Sequence, residues 1–242
     1  MRWSSGEFDA AIDPVAAALF DYEGRANIEE ILAGVADTEF AQEGVRRVLS
    51  SPASIEDWRV GEAIAETYLA DHRSCYFPWP DGRDERKSGS SLPGADLVGF
   101  TVDQDGHCFA FGEVKTSSDQ QHPPSAMYGS TGLKKQLEDL RDNETIRDDL
   151  VAYLAHRAPQ AAWRPRFETA TRRYLSDSSD VQLFGFLVRD VTPHPDDLSA
   201  RVAALTDDCP NTTLIALLAL YLPLGSIGGI GPTIASQSGS NP

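Results

Sequence analysis

Gly94-Ala95-Asp96-Leu97-Val98-Gly99-Phe100 and, after a short connection, Phe109-Ala110-Phe111-Gly112-Glu113-Val114-Lys115-Thr116-Ser117 decide how the chain reads. Both runs are apolar apart from Asp96 near the start of the first and Glu113 and Lys115 toward the end of the second, which predicts strands over 95–102 and 108–116. The connection, residues 103–107, contains Asp105-Gly106, a hairpin signal. Strand side chains alternate between faces, so Glu113 and Lys115 share a face with Phe111, and Val114 points the other way. If the two strands pair, Asp96 lies near Glu113. Two carboxylates beside a lysine form an oxygen-ligand site suited to a hard divalent cation such as Mg²⁺. Such an ion offsets carboxylate repulsion, polarises a phosphate oxygen and lowers the pKa of a bound water. The lysine positions that water or stabilises negative charge developing on phosphate.

Upstream, Ser51–Ser54 is a break, and Ser54 reads as an N-cap with Asp57 three residues on. The helix it opens runs to about His72, with Val60, Ile64, Tyr68 and Leu69 on one apolar face. Glu62 and Glu66 lie four positions apart on this helix, so either is a candidate third metal ligand. Residues 1–50 carry helical apolar spacing in three segments and form an N-terminal helical layer. Residues 77–94, rich in Pro, Gly, Ser and charge, read as a long loop.

Downstream, 117–132 reads as a loop and 133–174 as amphipathic helices. A central strand is expected over 181–189, a helix over 197–205 and a buried strand over 212–222. The order predicts an α/β domain over 51–224, a mixed sheet flanked by helices. Residues 225–242, glycine-rich and uncharged, read as a flexible or docking tail. The apolar run Leu214–Leu222 is cut off by Pro223 and is short for a membrane span, which needs about 20 apolar residues.

The 242 residues carry a formal net charge of -16. Such a surface repels nucleic-acid phosphate, which excludes a scanning DNA binder with a broad basic face but not an enzyme with a local groove or a basic partner. Cys75, Cys108 and Cys209 are odd in number and far apart, which supports neither a disulfide framework nor a zinc ribbon. The N-terminus lacks the apolar core of a signal peptide, so a reducing cytoplasm is expected. The five histidines have no metal-ligand spacing, no serine stands in a nucleophile-elbow context, and no phosphate-binding loop with its lysine occurs.

Asp96, sixteen residues, then Glu113-x-Lys115, behind a helix carrying Gly61-Glu62 and Glu66, resembles the PD-(D/E)xK nuclease superfamily. Ala95 stands where the family pattern has proline. In overall layout the chain is most similar to the HamA-type nuclease subunits of Hachiman anti-phage defence, which work with a helicase, HamB. The short motif is also similar to resolvase-like members. The resemblance implies a restriction-endonuclease-like core and Mg²⁺-dependent hydrolysis of DNA, with Mn²⁺ able to substitute. It implies Asp96 and Glu113 as metal ligands, Lys115 as the catalytic lysine and Glu62, or else Glu66, as the helix acid. Gln136 matches a polar position near substrate in some members, and Lys134 and Lys135 beside it are candidate phosphate contacts. A helicase or other ATPase partner is implied, and no membrane. A non-catalytic scaffold with a nuclease-like fold, or a stand-alone repair or resolvase-like nuclease, are the alternatives. Arg164, Arg166, Arg172 and Arg173 form the densest basic cluster, read either as pairing with Glu168 and nearby acids or as a DNA or partner contact.

Overall fold

The computed structural model describes residues 1–48, 55–78 and 94–238. The break at 51–54, with Ser54, and most of the loop at 77–94 therefore lie outside the described residues. A four-stranded mixed sheet, flanked by helices on both faces, organises the molecule. Its strands are β1 (Leu97–Asp103), β2 (Gly106–Ser117), β3 (Val181–Arg189) and β4 (Leu214–Tyr221), side by side in that order. β1 and β2 form the expected hairpin, closed by Asp103 opposite Gly106. β2, β3 and β4 run parallel. Parallel neighbours need long crossovers. Here these are α5 (Leu133–Asp142), α6 (Glu144–Arg157) and α7 (Arg164–Ser176) between β2 and β3, and α8 (Ser199–Thr206) between β3 and β4.

Strand alternation divides the core in two. Phe109, Phe111, Leu183 and Leu187 face one way and pack under Leu133, Leu137 and Leu140 of α5, Leu150 and Leu154 of α6, and Ala170 and Tyr174 of α7. Ala110, Val114, Phe184 and Phe186 face the other way. They meet α4 (Asp57–Arg73) through Val60, Ile64 and Leu69, and α1 (Ser5–Phe20) through Val15 and Ala16. α1 opens with a capping box: the Glu7 N–H donates to Ser4 Oγ, and Glu7 accepts from the Ser4 N–H at 2.8 Å. α2 (Tyr22–Ala33) and α3 (Glu39–Val48) complete the N-terminal helices. Both sheet edges are covered. Tyr76 exchanges backbone hydrogen bonds with Phe100 of β1, and Met1 and Trp3 bond along β4 at Ala219 and Tyr221.

The structure departs from the sequence reading in four places. β1 starts at Leu97, so Asp96 stands just before the strand rather than within it. The N-cap of α4 is Glu56, whose side chain makes no capping hydrogen bond. α8 begins at Ser199, because Pro195–Asp197 forms a separate 3-10 turn that buries Asp197. Residues 227–238, expected as tail, form α9 (Ile227–Ser238). Its Ile227, Ile230 and Ile234 are buried in the core shared with α4.

Gly61 sets how closely α4 lies on β2: a Cβ there would stand 1.7 Å from Thr116 Oγ1. Gly61→Ala is expected to lower stability by about 1–2 kcal/mol through overpacking. A thermal melt checks this, with partial recovery expected in the Gly61→Ala/Thr116→Ala double variant. Equal melts for Gly61→Ala and wild type would mean that the helix does not ride on Thr116.

Candidate active site

β2 carries its charge inside the sheet. Glu113 is 1% exposed, between Leu97–Gly112 pairing on one side and Gly185 of β3 on the other. Gly185 has no side chain because Leu137 of α5 and Leu217 of β4 fill the space; a Cβ there would meet both at 2.5 Å. Those leucines close apolar surface over the strand position next to Glu113.

Register places Asp96 opposite Glu113, one residue before β1 and on the same face. Asp96 is tied down by the Val114 N–H, which donates to its Oδ2 at 2.7 Å. Lys115, two residues on along the same face, holds its Nζ 3.5 Å from Glu113 Oε2 and is 19% exposed. The three residues on which the chemical reading rests are thus brought together: one buried carboxyl, one anchored carboxylate, and one lysine at the rim.

A lone buried carboxylate is expensive, and a second one beside it more so. Burial, and then the Asp96 charge, push the Glu113 carboxyl up to about 9, against the opposing pull of Lys115. At neutral pH in the absence of a cation Glu113 therefore holds a proton. The donor set is hard oxygen with one lysine for charge balance. That set fits Mg²⁺, which is usually held by one or two carboxylates and completes its shell with water and substrate phosphate.

Glu62 and Glu66 are half-buried on α4. α4 contacts β2 at Thr116, on the face opposite Glu113 and Lys115. Among the described residues no three Asp, Glu, His or Cys side chains converge closely enough to hold a metal ion. Strand alternation sets Glu113 and Lys115 on the sheet face away from α4, the helix that carries Glu62 and Glu66. Gln136 lies on α5, over the same sheet face as the site, and its buried Oε1 has no hydrogen-bond partner. Lys134 pairs with Glu138, and Lys135 with Asp139, each one helical turn along α5.

The arginine cluster is likewise engaged. Arg164 and Arg172 flank Glu168, Arg166 lies over the Tyr76 ring, and Arg173 joins Asp103 at 2.7 Å to Asp180 at 2.7 Å, fastening the β1–β2 hairpin to α7 and the start of β3. All three cysteines are free, Cys75 and Cys108 buried and Cys209 partly so. No helix among the described residues is long and apolar enough to cross a membrane.

Sequence reasoning passed over one polar cluster. Arg189 ends β3 fully buried, paired at 2.8 Å with the equally buried Asp197. His122 and Tyr221 bond to the same carboxylate. The available signal was a charge, Arg189, at the end of a largely apolar strand. No protein-family model matches the chain, and no curated protein matches it.

Proposed function

We propose that this protein is a metal-dependent deoxyribonuclease built on a restriction-endonuclease-like core. One observation carries the reading: Asp96, Glu113 and Lys115 share one face at the β1–β2 pair, with a buried carboxyl whose ionisation calls for a cation. Asp96 and Glu113 would hold Mg²⁺ or Mn²⁺, which when bound supplies charge neutralisation and polarises a phosphodiester oxygen. Lys115, at the rim, donates to a non-bridging phosphate oxygen or orients the attacking water. Hydrolysis forms one bond from water oxygen to phosphorus, breaks one phosphorus–ester oxygen bond, and passes a proton to the departing oxygen. Asp96, fixed through the Val114 N–H, keeps the ligand oxygens in place without rearrangement.

The net charge of -16 gives weak affinity for DNA on its own and favours delivery of substrate by a partner. A helicase-type ATPase, as in the anti-phage systems that the motif resembles, fits that need. The test is degradation of plasmid and single-stranded DNA with Mg²⁺ or Mn²⁺, with and without the neighbouring gene's product, for wild type and Lys115→Ala. Metal-dependent cleavage by wild type alone among the two supports the reading. Equal behaviour of both under every condition overturns it in favour of a scaffold.

A further inference from the structure

Beyond Lys115 the site face continues to the carboxyl ends of the parallel strands, where ligands of open α/β sheets tend to bind. Ser117, Arg189 and Tyr221 form a single row across β2, β3 and β4, two residues past the row of Lys115, Leu187 and Ala219. At the rise of a strand that is roughly 7 Å. The chain leaving β2 turns back over this row. Arg189 holds it there, donating to the backbone carbonyls of Asp119 and of Gln121, the latter at 3.2 Å.

Asp197 is the hub. Its Oδ1 accepts from Arg189 Nη1 at 2.8 Å and from His122 Nδ1 at 2.9 Å, and its Oδ2 accepts from the Tyr221 hydroxyl at 2.7 Å. With Nδ1 committed to Asp197, the outward nitrogen of His122 is Nε2. The ring is 22% exposed, and among the described residues nothing bonds its Nε2. The His194 ring stacks on it, centroids 4.5 Å apart, and is itself paired with Asp196. A fully buried Arg–Asp pair is costly if it only fills space. Here it holds one part-exposed imidazole over the strand-end row two residues past that of Lys115.

We infer that His122, positioned by Asp197 and Arg189, is a phosphodiester-contact subsite for the DNA strand running past Lys115. This rests on the nuclease reading above. The imidazolium donates from Nε2 to a non-bridging phosphate oxygen, and no covalent step is involved. Around the ring stand Asp197 from the turn before α8 and His194 from the segment after β3, with Arg189 of β3 and Tyr221 of β4 on the same Asp197 carboxylate.

His122→Asn separates the two roles of the ring, since the Asn amide can still donate to Asp197 in place of Nδ1 but nothing replaces Nε2. The probe is a fluorescein-labelled 20-base-pair duplex, read by anisotropy over a salt series with Ca²⁺ in place of Mg²⁺. Wild type is expected to bind about tenfold tighter than His122→Asn, with a salt dependence steeper by roughly one counterion. The variant's thermal melt is expected to stay unchanged. Equal affinity and salt dependence in the two proteins overturns the subsite, as does failure of wild type to bind the duplex. If His122→Asn melts early, the His122 Hε1 resonance of the intact protein decides instead: movement on adding the duplex supports contact, and a stationary resonance overturns it. Wild type that binds through His122 yet fails to cleave with either Mg²⁺ or Mn²⁺ sinks the nuclease reading alone. Wild type that cleaves while His122→Asn binds identically sinks the subsite alone.

Discussion

Lys115→Ala is expected to slow metal-dependent DNA cleavage by about 10²–10³-fold, the usual cost of removing one donor that stabilises charge in the transition state. The lysine reaches the rim while Glu113 behind it is buried, so it is the cation of this group that a phosphate can meet. Glu113→Gln is expected to lose cleavage as completely, since an amide removes the anionic ligand. Glu62→Gln is expected to cost less than either, because α4 lies behind β2 and not over the carboxylate pair. Lys134→Ala, which removes a cation already paired with Glu138 along α5, serves as the control and is expected to change the rate less than about twofold. Initial rates on a nicked or supercoiled plasmid, with folding checked by circular dichroism, measure all four. A rate for Lys115→Ala within a few-fold of wild type would remove the lysine from the chemistry.

Much of this site is legible in the sequence because its signals are local. The hairpin is written in two apolar runs around Asp105-Gly106, and the shared face of Glu113 and Lys115 follows from strand alternation alone. β3 falls where its unbroken apolar run predicts. What remained illegible depends on contacts far apart in the chain. α9 was masked by its glycines and its lack of charge, although Ile227, Ile230 and Ile234 carry helical spacing; burial against α4 overrides weak intrinsic propensity. The placement of α4 behind β2 depends on Gly61 meeting Thr116, a close approach that no periodicity discloses. The Arg189–Asp197–His122 cluster joins the loop after β2, the end of β3 and the turn before α8. Each contributes one polar residue that looks ordinary by itself.

The second large effect concerns stability rather than rate, and its sign runs against the usual carboxylate. Glu113 is held neutral in the folded protein, up to about 9, whereas in the unfolded chain it ionises near its ordinary value of 4.5. Between those limits the folded state binds the extra proton. The stability this group allows is therefore fully present below about pH 4.5 and is lost as pH rises toward 9. Glu113→Gln keeps the shape and removes the ionisation. Without added metal, the variant and wild type are expected to melt alike near pH 5. By pH 9 the variant is expected to be the more stable of the two, with the higher melting temperature. Mg²⁺ has the opposite preference, since it binds the ionised pair. Saturating Mg²⁺ is expected to close that gap by stabilising wild type at high pH, and to leave Glu113→Gln where it was. Differential scanning fluorimetry across pH 5–9, with Mg²⁺ and with a chelator, measures both arms. Parallel curves for the two proteins would show that Glu113 is not held neutral. A metal-induced shift of equal size in both would place the cation somewhere other than Asp96 and Glu113.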